Sequence, residues 1–276
     1  METIPPCGFG TYRLRGDAAR ESTACALNEG YNHIDTANLY GNEDKVGEAI
    51  KNSKIPRDKL WITTKIQIKD IKKGKDAMYA SISNSLTQLQ TSYLDLVLLH
   101  GPVEECLIES WSILEEVILG SVEHLKDRVR FIGISNYDVH HLEQLLPVCR
   151  IKPYANQFEV SPYLNRFNLI DYCKEKNIIV VAHTSLVKGE KFNDQKLIEM
   201  SEQTRISKSL VLLGWGLSHG MVVLPRSSNP EHIKENLQCL QIKLDTNIMS
   251  QLNEFYKYEK EEPGYYTHPQ YIKKKN

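Results

Sequence analysis

Four side chains in the first hundred residues carry acid–base chemistry: Asp35, Tyr40, Lys65 and His100. Each closes an apolar run or lies just beyond one: Asn32-His33-Ile34-Asp35-Thr36, Leu60-Trp61-Ile62-Thr63-Thr64-Lys65 and Leu94-Asp95-Leu96-Val97-Leu98-Leu99-His100. A phenol ordinarily titrates near pH ~10 and is a poor acid at neutrality, but a neighbouring ammonium favours the phenolate. Lys65 would supply that charge, and Asp35 would keep a buried ammonium protonated. His100, as a neutral donor, would polarise a carbonyl oxygen beside the Tyr40 hydroxyl. The carbon of such a carbonyl still needs a nucleophile. With no activated serine or cysteine in these runs, the pattern points to hydride from a cofactor. Taken singly, an aspartate at a strand end is often a helix cap and a buried histidine or tyrosine is usually a satisfied core residue. Complementary types recurring at successive strand ends favour a site.

The elements that must position these groups are legible as alternation. Eight short β-branched runs, at residues 6–10, 32–36, 60–65, 94–100, 130–135, 154–158, 178–183 and 221–225, are separated by stretches of helical periodicity such as 17–29 and 78–89. That pattern predicts an α/β chain folded as a (β/α)8 TIM barrel, whose chemistry gathers at the C-terminal ends of the strands. Extra helices are expected at 194–204, 207–219 and 246–256. No Gly/Ser-rich linker divides the chain, so residues 1–276 are read as one domain. The tail at 261–276 carries Tyr265, Tyr266, His268 and Tyr271 without periodicity. It is either a frayed end or a lid, and the fold expectation lays it over the site.

Formal net charge is −1 and the basic residues are scattered, which excludes nucleic acid and anionic membranes as expected partners. The run Lys273-Lys274-Lys275 reads as a solvated tail. Six cysteines (7, 25, 106, 149, 173, 239) form no Cys-x-x-Cys pair and no zinc-spaced cluster. Free thiols, no metal and a cytoplasmic location are therefore expected. The N-terminus lacks a signal-like apolar stretch, and no window approaches the ~18 apolar residues of a membrane span. A soluble monomer acting on a small molecule is the expectation.

On these residues the sequence resembles the aldo-keto reductases. Gly30-Tyr31-Asn32-His33-Ile34-Asp35-Thr36-Ala37-Asn38-Leu39-Tyr40-Gly41-Asn42-Glu43 is similar to the family's first signature, and Ile62-Thr63-Thr64-Lys65 and Leu98-Leu99-His100-Gly101-Pro102 match the segments bearing the rest of its tetrad. Ile132-Gly133-Ile134-Ser135-Asn136-Tyr137 and Asn156-Gln157-Phe158-Glu159 resemble the segments that hold the nicotinamide carboxamide, which implies Ser135, Asn136 and Gln157 in that role. Leu224-Pro225-Arg226-Ser227-Ser228-Asn229-Pro230-Glu231-His232-Ile233-Lys234-Glu235-Asn236 resembles the phosphate-binding signature. There Asn229 would cap a helix with Pro230 at its first position, a helix start that attracts phosphate. The resemblance runs from about residue 8 to residue 240 and implies an NADPH-dependent reductase of aldehydes or ketones, with NADH also possible. His183 and Leu186, then Arg226, Ser227, His232, Glu235 and Asn236, are the further nucleotide contacts it implies. The absence of a Gly-x-Gly-x-x-Gly after a strand excludes the usual Rossmann reading.

Several positions depart from the family pattern. Gly101 stands where an aromatic is common, and Tyr12 where a tryptophan is; both belong to the expected substrate pocket, which should be wider at Gly101. His183 replaces the aromatic that stacks under the nicotinamide. It is expected to stack more weakly and to be able to protonate. His232 replaces an arginine of the 2′-phosphate clamp, so selectivity for NADPH should be reduced. The loop after the fourth strand is short, residues 120–127 form a longer segment, and the usual hairpin under the barrel is expected to be missing. Two readings of other classes stand beside the reductase: a nicotinamide-nucleotide sensor or partner-docking barrel with little turnover, and a Schiff-base aldolase using Lys65.

Overall fold

All eight predicted runs form strands of one parallel sheet in the computed structural model, which describes residues 3–258. They are β1 Phe9–Gly10, β2 His33–Asp35, β3 Trp61–Ile66, β4 Leu94–Leu99, β5 Val129–Ser135, β6 Ala155–Glu159, β7 Ile179–His183 and β8 Val222–Val223. Neighbours in sequence are neighbours in space throughout. The seam between β8 and β1 closes through a parallel bridge of Cys7 with Val223. There Val223 N donates to Pro6 O, Gly8 N to Val223 O (2.9 Å each) and Gly10 N to Pro225 O (3.0 Å). The expected tail over the site lies outside the described residues.

At least one helix follows every strand, from Gly16–Glu29 after β1 to Pro230–Leu237 after β8. The extra helices are Gln195–Thr204, Lys208–Ser218 and Thr246–Asn253. Alternation of side chains along each strand splits the core in two. One set, including Ile34, Ile62, Val97, Ile132 and Phe158, packs outward against the helices. The other, with Trp61, Leu96, Leu98, Ala155, Val181 and Leu224, fills the barrel.

Among the described residues no hairpin precedes β1, and the floor of the barrel is closed from within. The Phe131 and Tyr154 rings stack at 4.2 Å and Trp61 lies over Phe131 at 5.5 Å. Ile4 is buried in the same cluster, and its N–H donates to the Tyr154 hydroxyl (3.3 Å). Residues 120–127 hold a short 3-10 turn, Glu123–Leu125, pinned by buried Val122 and Leu125. Close strand packing requires glycine at position 133, where a Cβ would lie 2.7 Å from Ala155 O and 2.7 Å from Leu98 Cδ2.

Candidate active site

Register and alternation place Asp35, Lys65, Ser135, Gln157 and His183 at the C-terminal ends of β2, β3, β5, β6 and β7. Lys65 is 1% exposed, and its Nζ donates to Asp35 Oδ1 (2.6 Å), Thr36 O (2.8 Å) and the Tyr40 hydroxyl (3.3 Å). Tyr40 itself sits in a short 3-10 turn, Asn38–Tyr40, that the left-handed Gly41 (φ 63°) ends. His100 follows β4 and meets the Tyr40 ring edge-on at 5.8 Å. The four residues chosen from the sequence thus converge.

The electrostatic balance differs from the sequence expectation. Burial, with Asp35 and Tyr12 adding to it, pushes the Tyr40 phenol up rather than down. The ammonium at 3.3 Å does not overcome that desolvation. Burial also pulls Lys65 down, against the opposing pull of Asp35 and then Glu43. Glu43 is itself buried, accepting from Thr64 Oγ1 (2.6 Å) and Ser85 Oγ (2.9 Å). Burial, followed by the Lys65 charge, lowers His100 to about 3, so its ring is neutral. Its Nδ1 is buried without a hydrogen-bond partner.

The amide-bearing residues form a continuous polar chain at the same face. Gln157 Nε2 donates to Asp35 Oδ2 (2.7 Å), which ties it to the acid rather than leaving it free. Ser135 Oγ donates to Gln157 O (2.9 Å). Asn136, in the left-handed region that asparagine tolerates (φ 62°), donates through Nδ2 to His100 O and to Ser135 Oγ (3.1 Å each). Its Oδ1 lies 3.3 Å from His183 Nε2 and must accept from it. His183 Nδ1 then accepts from Thr184 Oγ1 (2.9 Å), which fixes the tautomer. Burial first, then the charge of Lys65, lowers His183 to about 3. The expectation that it can protonate is therefore corrected: it is held neutral.

These groups line a cleft of about 840 Å³ that also exposes Tyr12, Leu186, Arg226 and His232 from the predicted set. Arg226 donates from Nε to Tyr12 O (3.1 Å) and from Nη2 to Arg13 O (3.2 Å). Asn229 caps the helix Pro230–Leu237, its Oδ1 accepting from Glu231 N (2.9 Å). Five predicted residues do not line the cleft, Lys65 among them because it is buried beneath it. Gly101 is buried; Ser227 Oγ accepts from Asn229 N (3.0 Å) within the turn; Glu235 accepts from Ser209 Oγ (3.3 Å) of the neighbouring helix. Asn236 faces inward, with its Oδ1 buried and unpartnered.

Sequence reasoning missed Leu39, Gln67, Ile68 and Lys69 on one side of the cleft, and Lys188 and Phe192 on the other. The second group lies in the aperiodic stretch after β7, where Thr184, Val187, Lys188 and Gly189 all have φ between 49° and 79°. Two β-branched residues in that region mark a loop held in shape by its surroundings. A signal was present in the long gap between His183 and the next helix. The fold also brings together Glu104, His140 and His141, which no spacing rule anticipates. His141 Nδ1 accepts from Asp138 N (2.9 Å), so its Nε2 carries the proton and donates to Glu104 Oε1 (2.9 Å). That bond ties the loop bearing His100 to the helix after Asn136.

The profile of the Aldo/keto reductase family matches residues 6–257. The chain belongs to the aldo/keto reductase family. This aldo/keto reductase is an oxidoreductase that reduces carbonyl groups. It is 36% identical to a glyoxal reductase of Bacillus subtilis (strain 168), over 95% of this chain and 92% of that protein. It is 33% identical to a methylglyoxal reductase of Escherichia coli O157:H7, over 88% of this chain and 89% of the relative. Among solved structures, an aldo-keto reductase from a Medee basin deep-sea metagenome library superposes with a TM-score of 0.86, at 31% identity and 92% coverage of both chains. Among the described residues no helix is long and apolar enough to cross a membrane.

Proposed function

We propose that this chain works as a single barrel domain that reduces small aldehydes and ketones with NADPH, NADH serving less well, and with Tyr40 as the proton donor. The observation that carries this is the Tyr40 hydroxyl, 3.3 Å from a lysine whose charge Asp35 holds at 2.6 Å, in a cleft shared with a neutral histidine.

The donor set fits a nicotinamide dinucleotide. Lys188 and Arg226 supply cations at the β7–β8 side of the cleft and His232 a ring nitrogen, beside a capped helix start. Ser135, Asn136 and Gln157 supply the polar edge a carboxamide needs, and Gln157 keeps its Oε1 for an incoming N–H. His183 and Leu186 present a ring and an apolar wall to a planar base. Bound there, the nicotinamide supplies a hydride to the carbonyl carbon.

The chain's own residues do the rest. The neutral His100 ring and the Tyr40 hydroxyl orient the carbonyl oxygen. As that oxygen gains charge, Tyr40 gives it the phenolic proton, and the phenolate left behind faces the Lys65 ammonium. The raised Tyr40 keeps the donor protonated throughout the neutral range. Free cysteines throughout the chain support the cytoplasm as its place. The small carbonyl compounds named for its relatives support a substrate of that size.

NADPH oxidation with methylglyoxal, for the wild type and Tyr40→Phe, tests the reading. The variant should lose about 10²-fold or more in kcat while still binding NADPH by fluorescence titration. Unchanged turnover in Tyr40→Phe would remove Tyr40 as the donor.

A further inference from the structure

The cleft carries cations on opposite sides of its mouth, and one of them stands away from the strands that would hold a nucleotide's phosphates. Its charged lining includes Arg13, Lys69, Lys188 and Arg226 but a single carboxylate, Asp35, already paired with Lys65. Lys188, Arg226 and His232 follow β7 and β8. Lys69 follows β3, four strands away from β7 in an eight-stranded ring and so across the barrel mouth from it.

Lys69 stands on the same side as the acid. It lines the same cleft as Tyr40, Tyr12, Leu39 and Ile68, and two residues before it Gln67 Nε2 donates to Asn38 Oδ1 (2.7 Å) of the turn that carries Tyr40. Tyr12 and Leu39 are 47% and 59% exposed, the apolar walls of an open pocket, with the Tyr12 and Tyr40 rings 5.0 Å apart. Lys69 has no hydrogen-bond or ion-pair partner among the described residues. The nearest acid in sequence, Asp70, is taken up by Gln67 Nε2 (2.7 Å) and Lys73 Nζ (3.8 Å). An exposed ammonium without a partner among the described residues, apolar walls and a proton donor in one cleft describe the complement of one kind of molecule.

We propose that the preferred substrate is an aldehyde or ketone bearing a carboxylate a few carbons from its carbonyl, and that Lys69 is the specificity-determining residue that receives that carboxylate. The proposal rests on the reductase reading above and adds the charge of the substrate to it. The reaction is unchanged in balance: hydride goes to the carbonyl carbon and a proton to its oxygen, while the carboxylate keeps its charge.

A matched pair of substrates tests it: 4-oxobutanoate, which carries the carboxylate, and butanal, which does not. The full-length wild type should show the higher kcat/KM for 4-oxobutanoate, and the advantage should shrink as ionic strength rises. Lys69→Met should lower kcat/KM for 4-oxobutanoate about fivefold to tenfold, through KM, and leave butanal unchanged. A wild type that favours butanal, or a Lys69→Met variant that shifts both substrates equally or neither, would overturn the proposal. So would transfer of the whole effect to Arg13→Gln. Absence of NADPH-dependent turnover on both substrates would instead sink the reductase reading itself.

Discussion

At the scale of single residues, the site separates charge from neutrality within a few ångströms. Lys65 and Asp35 form a buried ion pair in it, while burial holds His100 and His183 neutral at about 3 each. In the proposed mechanism Tyr40 is therefore the group that gives a proton to substrate near neutral pH, and Lys65 the group that stabilises its conjugate base. Asp35 is what opposes the loss of charge that burial imposes on Lys65. Asp35→Asn removes that opposition and leaves the ammonium easier to discharge. The alkaline limb of kcat should then move to lower pH, with kcat near pH 7 down about 10²-fold; kcat measured from pH 6 to 9 in the two proteins checks this. The tetrad was legible in the sequence because acid–base types ended three β-branched runs in succession. The neutrality of His183 was not, because it depends on Asn136 and Thr184 closing around the ring. Lys69 was invisible for another reason: a lysine one turn past a strand has no signature until the fold faces it into a cleft.

At the scale of elements, the strands were legible and the joints between them were not. β-branched runs of five to seven residues, such as β3, β5 and β7, announce buried parallel strands. The ends of the chain's sheet, β1 and β8, have two residues each, and their pairing is visible only once the barrel closes. Gly133 belongs to the same class of hidden constraint. In sequence it is one glycine in a strand; in the barrel it is the point where β5 meets the β6 backbone at Ala155. Gly133→Ala should destabilise the fold by about 1–3 kcal/mol, since neither backbone nor the Leu98 side chain has room to yield freely. A thermal melt of the variant should fall by several degrees; an unchanged melting temperature would show that the strands can separate there at no cost.

At the scale of the whole molecule, buried neutral histidines couple stability to pH. His33 is fully enclosed inside the barrel, its Nε2 accepting from Thr63 Oγ1 (3.1 Å), and burial lowers it to about 4. With His100 and His183 it makes three imidazoles that the folded chain cannot protonate until pH 3–4, whereas the unfolded chain protonates them near pH ~6.5. Between those limits the unfolded state binds more protons, so stability falls as pH drops. Melting temperatures taken from pH 7.5 to 4.5 should be level above about pH 6.5 and decline progressively below it. The triple variant His33→Asn, His100→Asn, His183→Asn should show a shallower decline. A flat profile in the wild type would mean that these rings find protons in the folded state.

The Arg226 guanidinium has a consequence for how the two ends of the cleft communicate. Its Nε and one Nη2 hydrogen are engaged by the carbonyls of Tyr12 and Arg13 across the seam, which leaves the Nη1 edge for an anion. Whatever phosphate settles on that edge is thereby fastened to the exit of β1, and the Tyr12 ring on the same two-residue stretch rests against Tyr40. On the proposed function, grip on the nucleotide and aim of the proton donor would share a single lever arm, running along the barrel rim through Tyr12 and Arg13.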